Sequence, residues 1–153
     1  RLTIVVETSS AGETRSVGER FGRAAPPGTS VSLQGDLGAG KTVLAGGIAA
    51  GLGVETEVLS PTFILVEEYG EGEIPMLHFD LYRLEELEEV EEIGLFDAVD
   101  GRNVVLVEWG DRLPGGSMDF DVIIRVEIIE GDRRRISLTG PGPLISRLRR
   151  GEG

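Results

Sequence analysis

Cysteine is absent from the 153-residue sequence, which excludes disulfides and thiolate metal sites and fits a cytoplasmic protein. Histidine occurs once, at His78, so an imidazole metal cluster is excluded as well. No apolar run approaches the roughly 18–20 residues of a membrane-spanning helix, and no membrane association is expected. The stretch "RLTIVVETSS" has no apolar core followed by a small-residue cleavage pattern, so no secretory signal is expected from it. Positive charge is scarce too. Fifteen Lys and Arg face 27 Asp and Glu, for a net charge of −12. Such a surface repels a phosphate backbone, which argues against direct nucleic-acid binding. The local basic runs "DRRR" (132–135) and "RLRR" (147–150) read as solvated faces. Lys41 is the only lysine, and the other fourteen of the fifteen Lys and Arg are arginine.

What is present reads as one mixed domain over residues 1–153. Apolar runs at 2–7, 31–34, 63–69, 74–82 and 104–107 predict strands, the last covered on both faces. Helical spacing predicts helices over 13–25, 42–52 and 85–92, with Ser10 or Thr8 as a cap for the first. A hairpin is expected from 122–129 and 134–139, and a short helix from 143–150. This order predicts an α/β sandwich whose sheet is part parallel and part antiparallel.

Lys41 stands in "GDLGAGKT", a full match to the phosphate-loop pattern G-x-x-x-x-G-K-[ST]. A β-rich run precedes it and an amphipathic helix follows. Gly35, Asp36, Leu37, Gly38, Ala39 and Gly40 would form a loop whose N–H groups turn inward around phosphate. The helix that begins near Gly40 adds unpaired N–H groups and a positive dipole end. Lys41 would reach the terminal phosphates as a compact charge that a planar guanidinium does not replace. Thr42 offers a hydroxyl to Mg²⁺, and Val43 continues the loop into the helix.

A phosphate loop needs a carboxylate at the end of a neighbouring strand. Glu108, closing "VVLVE", is either that group or a surface residue ending a strand. Asp80 in "HFDLYRL" is a second candidate, with Arg83 as its alternative neutralising partner. Strand alternation puts His78 and Asp80 on one face, and for His78 a hydrogen-bonded structural role is expected. Trp109 alone reads as packing. "SPTF", with Ser60 and Thr62, is either a γ-phosphate-sensing switch or an ordinary turn.

"GDLGAGKT", "SPTFILVEEY", "HFDLYRL", "EEIGLFD" and "VVLVEWGDRL", in that order, resemble the TsaE (YjeE) ATPases of bacteria, over about residues 14–113. The resemblance implies a phosphate-loop NTPase-like three-layer sandwich with a mixed sheet, binding ATP or ADP with Mg²⁺. It assigns Thr42 and Glu108 to the metal and Gly38 to Val43 to the phosphates. Asp80 falls near the metal or its water, and Trp109 beside the nucleotide. Ser60 and Thr62 become the switch, and Arg133 of "GDRRR" is set against the adenine. It implies two protein partners, TsaB and TsaD, which reach tRNA for threonylcarbamoyladenosine modification. This chain would then contact tRNA only through the complex and hydrolyse ATP weakly alone. A small-molecule kinase, or an interaction module that uses nucleotide only as a ligand, remain the competing readings.

Overall fold

The computed structural model describes residues 1–153 except 37, 56, 59–65, 71, 73, 83–86, 100, 114–117 and 150–153, and except the side chains of Leu87, Val90 and Arg112. Among the described residues seven strands form one sheet: β1 (Leu2–Thr8), β2 (Ser30–Gln34), β3 (Val66–Tyr69), β4 (Met76–Asp80), β5 (Val104–Glu108), β6 (Val122–Glu130) and β7 (Arg133–Gly140). Their order is β1-β7-β6-β2-β5-β4-β3. The central four, β6, β2, β5 and β4, run parallel, while β1, β7 and β3 pair antiparallel at the flanks. The expected mixed α/β sheet is therefore present. Parallel strands must be covered on both faces, and β5 is buried at all five positions.

Alternation along the central strands sorts their side chains into two cores. Val31, Leu33, Leu106 and Ile124 face α1 (Ala11–Ala24), α2 (Lys41–Gly51) and α5 (Gly142–Arg149), and meet Phe21, Leu44, Ile48 and Ile145. Phe79, Leu81, Val105 and Val107 face the other way and meet Leu95 and Ala98 of α4 (Leu95–Val99). The short α3 (Leu87–Glu92) precedes α4 and exposes Glu88, Glu91 and Glu92, as a solvated acidic face should. Among the described residues no helix is long and apolar enough to cross a membrane.

Most predicted elements recur with shifted ends. The first helix starts at Ala11 rather than 13, because the Ser10 hydroxyl accepts from the Glu13 N–H and caps it. The strand expected over 74–82 is shorter, since Pro75 lacks the N–H a ladder needs. Helix α4 was not expected; five residues are too few to show a helical period. The predicted start of β3 at 63–65 lies outside the described residues. The basic runs are partly structural: Arg147 and Arg149 donate to the carbonyls of Ala24 and Thr3.

Helices α1 and α2 meet main chain to main chain at four glycines. A Cβ placed on Gly47 would lie 2.1 Å from the Arg15 carbonyl oxygen of α1, and one on Gly22 would lie 2.2 Å from the Ile48 oxygen of α2. Gly18 and Gly51 make equally close approaches, 2.4 and 2.3 Å, to carbonyl oxygens across the crossing. This closeness fixes where α2 begins relative to the sheet. Gly47→Ala should therefore force the helices apart and lower stability by about 1–3 kcal/mol. Gly70→Ala, with nothing within 4 Å of its added carbon, should stay within about 0.5 kcal/mol of the parent. Urea denaturation of the two variants side by side measures the contrast.

Candidate functional site

The loop between β2 and α2 leaves the carboxyl end of a central parallel strand, where open α/β sheets place ligands. Gly38 (φ 80°) and Gly40 (φ 106°) occupy the left-handed region, which side chains with a Cβ avoid. Gly40 is the N-cap of α2, and no side chain caps it. The first-turn N–H groups of α2 thus have no intrahelical or capping side-chain partner, the usual state of a helix end that receives an anion. Asp36 and Gly38 are exposed, Gly35 and Gly40 half-buried, and Ala39 buried. Leu37 lies outside the described residues.

Strand register brings the acidic candidates level with this loop. Leu33 of β2 pairs with Glu108 of β5, and Glu108 pairs with Asp80 of β4. Neighbours in parallel register project from the same face, so both carboxylates point toward α2. The Lys41 Nζ lies 3.7 Å from Glu108 Oε1 and 4.5 Å from the centroid of the Trp109 ring. Lys41 is 7% exposed, so its charge has little water and depends on these two partners. The other carboxylate oxygen, Oε2, lies 2.7 Å from Nε2 of the fully buried His78. The surface-residue alternative for Glu108 fails on this burial, since Glu108 is 3% exposed.

Trp109 is the only described non-glycine residue at positive φ (61°). For a bulky side chain that conformation costs about 1–2 kcal/mol. The turn swings the indole out of the strand direction, onto Lys41 and against Tyr82, whose ring centroid is 5.1 Å away. The tryptophan expected from the sequence to be packing is thus also a wall of the site. Lys41, Trp109, Gly35, Asp36, Gln34, Asp111 and Arg125 line a cleft of about 720 Å³.

Thr42 and Val43 open elsewhere. They line a second hollow of about 540 Å³ with Ala11, Gly12, Arg15 and Glu55. Arg133 is exposed at the start of β7. The arginine held against the loop is its neighbour Arg134, whose Nε donates to the Ala39 carbonyl at 2.7 Å. Its guanidinium also reaches the Gly38 carbonyl at 3.5 Å. Arg134 has the same strand parity as buried Ile136 and Leu138, and that alternation was the available signal for it. Ser60 and Thr62 lie outside the described residues.

Burial opposes the charge on Glu108, but the His78 hydrogen bond and the nearby His78 and Lys41 outweigh it. The Glu108 carboxyl therefore lies below the ordinary glutamate value. Asp80 shifts the other way. Burial raises it and Glu108 adds to that, against the Tyr82 N–H bond, His78 and Lys41. Asp80 and Glu108 are oxygen donors paired at neighbouring strand ends, while Thr42, the third oxygen donor, lines the second hollow. No cluster of three metal-binding His, Cys, Asp or Glu side chains occurs among the described residues. That donor set suits Mg²⁺ carried in with phosphates and waters, which needs only one or two carboxylates from the protein.

Comparison with known proteins follows the same segments. A family model described as "Threonylcarbamoyl adenosine biosynthesis protein TsaE" matches residues 8–136. The tRNA threonylcarbamoyladenosine biosynthesis protein TsaE of Bacillus subtilis is 38% identical over 130 residues, covering 85% of this chain and 81% of its own length. The protein of the same name from Treponema pallidum is 38% identical over 129 residues, covering 84% and 95%. The crystal structure of YdiB from Bacillus subtilis superposes with a TM-score of 0.78 at 30% identity, covering 98% of this chain and 96% of that one.

The raised Asp80 carries a consequence for stability. A carboxyl whose folded value exceeds its unfolded one binds protons better when folded, so ionising it weakens the fold as pH rises through that window. Asp80→Asn keeps an oxygen for the Tyr82 N–H and removes the charge. The variant is expected to have a higher urea midpoint than the parent at pH 7. The advantage should shrink as pH falls toward about 4. A lower midpoint at pH 7 would contradict the assignment.

Proposed function

The chain belongs to the TsaE family, and on that footing we propose that it is an Mg²⁺-dependent ATPase that supports threonylcarbamoyladenosine modification of tRNA, acting in the cytoplasm with TsaB and TsaD. The observation that carries the ATPase reading is Lys41. It is the sole lysine, set at the start of an uncapped helix and level with two buried carboxylates at the ends of neighbouring strands.

The chain's own groups divide the work. First-turn N–H groups of α2 and the Lys41 ammonium hold the terminal phosphates of ATP and favour the charge that develops on them. To do so Lys41 exchanges its contact with Glu108 for phosphate oxygens. Arg134 ties the outward carbonyls of Gly38 and Ala39, which leaves the loop's N–H groups to the ligand. Trp109 and Tyr82 close one wall and limit water. Mg²⁺, held by Thr42 and Glu108 with Asp80 beside it, would supply neutralisation of the β- and γ-phosphate charge. Asp80, fixed by the Tyr82 N–H, orients the attacking water. With net charge −12, this chain leaves the tRNA to its partners.

Transfer of phosphate to a small acceptor is a second reading, favoured by the 720 Å³ cleft beside Lys41. The two differ in product: inorganic phosphate in one case, a phosphorylated metabolite in the other. The deciding experiment is ATP turnover with and without TsaB and TsaD, scored beside tRNA modification. Lys41→Ala is expected to weaken ATP binding at least about 100-fold, roughly 3 kcal/mol. Titration of the purified variant with an ATP analogue checks this, and near-parental affinity would defeat the proposal.

A further inference from the structure

We propose that His78 is a positioning residue: through its Nε2 it fixes the Glu108 carboxylate in the orientation that phosphate chemistry needs. The inference rests on the reading of Glu108 given above. His78 sits one pair before Asp80 on β4, on the same face, and lies opposite Leu106 across from β5. It is fully buried. A carboxylate only accepts hydrogen bonds, so the proton in the 2.7 Å contact belongs to Nε2, and His78 is the donor to Oε2. Oε1 is thereby turned toward Lys41, at 3.7 Å.

The second ring nitrogen makes the argument specific. Nδ1 is buried and has no hydrogen-bond partner among the described residues. A histidine serving to tie strands together would be expected to use both nitrogens, because buried polar atoms rarely go unpaired. Here the only described polar contact of the ring is the one carboxylate. Burying an imidazole without using Nδ1 is unfavourable for the fold taken alone, since an apolar side chain would fill the space at lower cost.

The role becomes necessary when nucleotide arrives. Among the described residues Glu108 has two side-chain partners, Lys41 and His78. Once Lys41 turns to phosphate, His78 is the one of these two that Glu108 keeps. Without that bond a three-torsion side chain in a buried pocket is free to rotate away from the incoming ligand. With it, Oε1 stays aimed at the space Lys41 has left. Sequence alternation had placed His78 beside Asp80. The pairing register instead makes Glu108, two positions further along the neighbouring strand, its partner.

The test compares His78→Leu, His78→Gln and His78→Asn with Glu108→Gln in the full chain. The glutamine amide reaches about as far as Nε2 and donates, whereas the asparagine amide is one carbon shorter. Two quantities are read: steady-state ATP turnover with TsaB and TsaD, and the gain in affinity for the non-hydrolysable analogue AMP-PNP on adding Mg²⁺, followed by Trp109 fluorescence. His78→Leu and His78→Asn should lower kcat about 10–100-fold with KM within about 3-fold, and should lose most of the Mg²⁺-dependent gain. His78→Gln should restore both to within about 3-fold of the parent. If His78→Leu does not fold, the Gln and Asn pair decides, because a role in packing alone predicts no advantage for Gln. Equal behaviour of Gln and Asn, or parental values in His78→Leu, overturns the inference while leaving the function standing if Glu108→Gln is impaired. Parental kcat and Mg²⁺ dependence in Glu108→Gln overturns the reading of Glu108, and the inference with it.

Discussion

One buried positive charge organises the molecule. The Lys41 ammonium is almost out of water, and a charge in that position must be compensated locally. Glu108 supplies the opposite charge, Trp109 supplies an aromatic face, and His78 holds Glu108 from behind. At 3.7 Å the Lys41–Glu108 pair is loose rather than tightly bonded. A short, bidentate contact would hold the ammonium more firmly. The strained Trp109 backbone belongs to the same economy, because only the left-handed turn puts the ring over the ammonium.

The sheet is what makes such a cluster possible. Parallel register carries Leu33, Glu108 and Asp80 to one level across three strands, and the two cores hold those strands from both faces. Burial, and to a lesser degree the neighbouring Glu108 charge, make an ionised Asp80 unfavourable at its strand end. Folding tolerates this because the rest of the strands bury Val, Ile, Leu and Phe almost completely. The two carboxylates thus differ: Asp80 is disfavoured as a charge, while His78 and Lys41 hold Glu108 ionised.

What the sequence revealed divides along a physical line. The glycine-rich turn from β2 into α2 was legible because its shape is dictated locally, by Gly38 and Gly40 and by the helix that follows. Strands β2 and β5 were legible as short apolar runs. Partnerships across strands were not, because register depends on neighbours distant in sequence. His78 was placed correctly on its face but without its partner Glu108, thirty residues away. Arg134, on the inward parity of β7 with Ile136 and Leu138, donates to the Ala39 carbonyl, a contact between residues 95 apart that no local pattern announces. The turn at Trp109 could not be read at all, since nothing in "VEWG" asks an indole to adopt a glycine-like backbone.

Glycine usually loosens a chain, but at the meeting of α1 and α2 it does the opposite. Elsewhere in a protein, side chains act as cushions, and a small displacement of one helix is absorbed by rotamer changes before its neighbour feels it. Between Gly18, Gly22, Gly47 and Gly51 there is no such cushion, because main chain rests on main chain. A displacement of α2 at these positions meets the main chain of α1 directly. The residues that look softest in the sequence thus leave this crossing no side chain to repack.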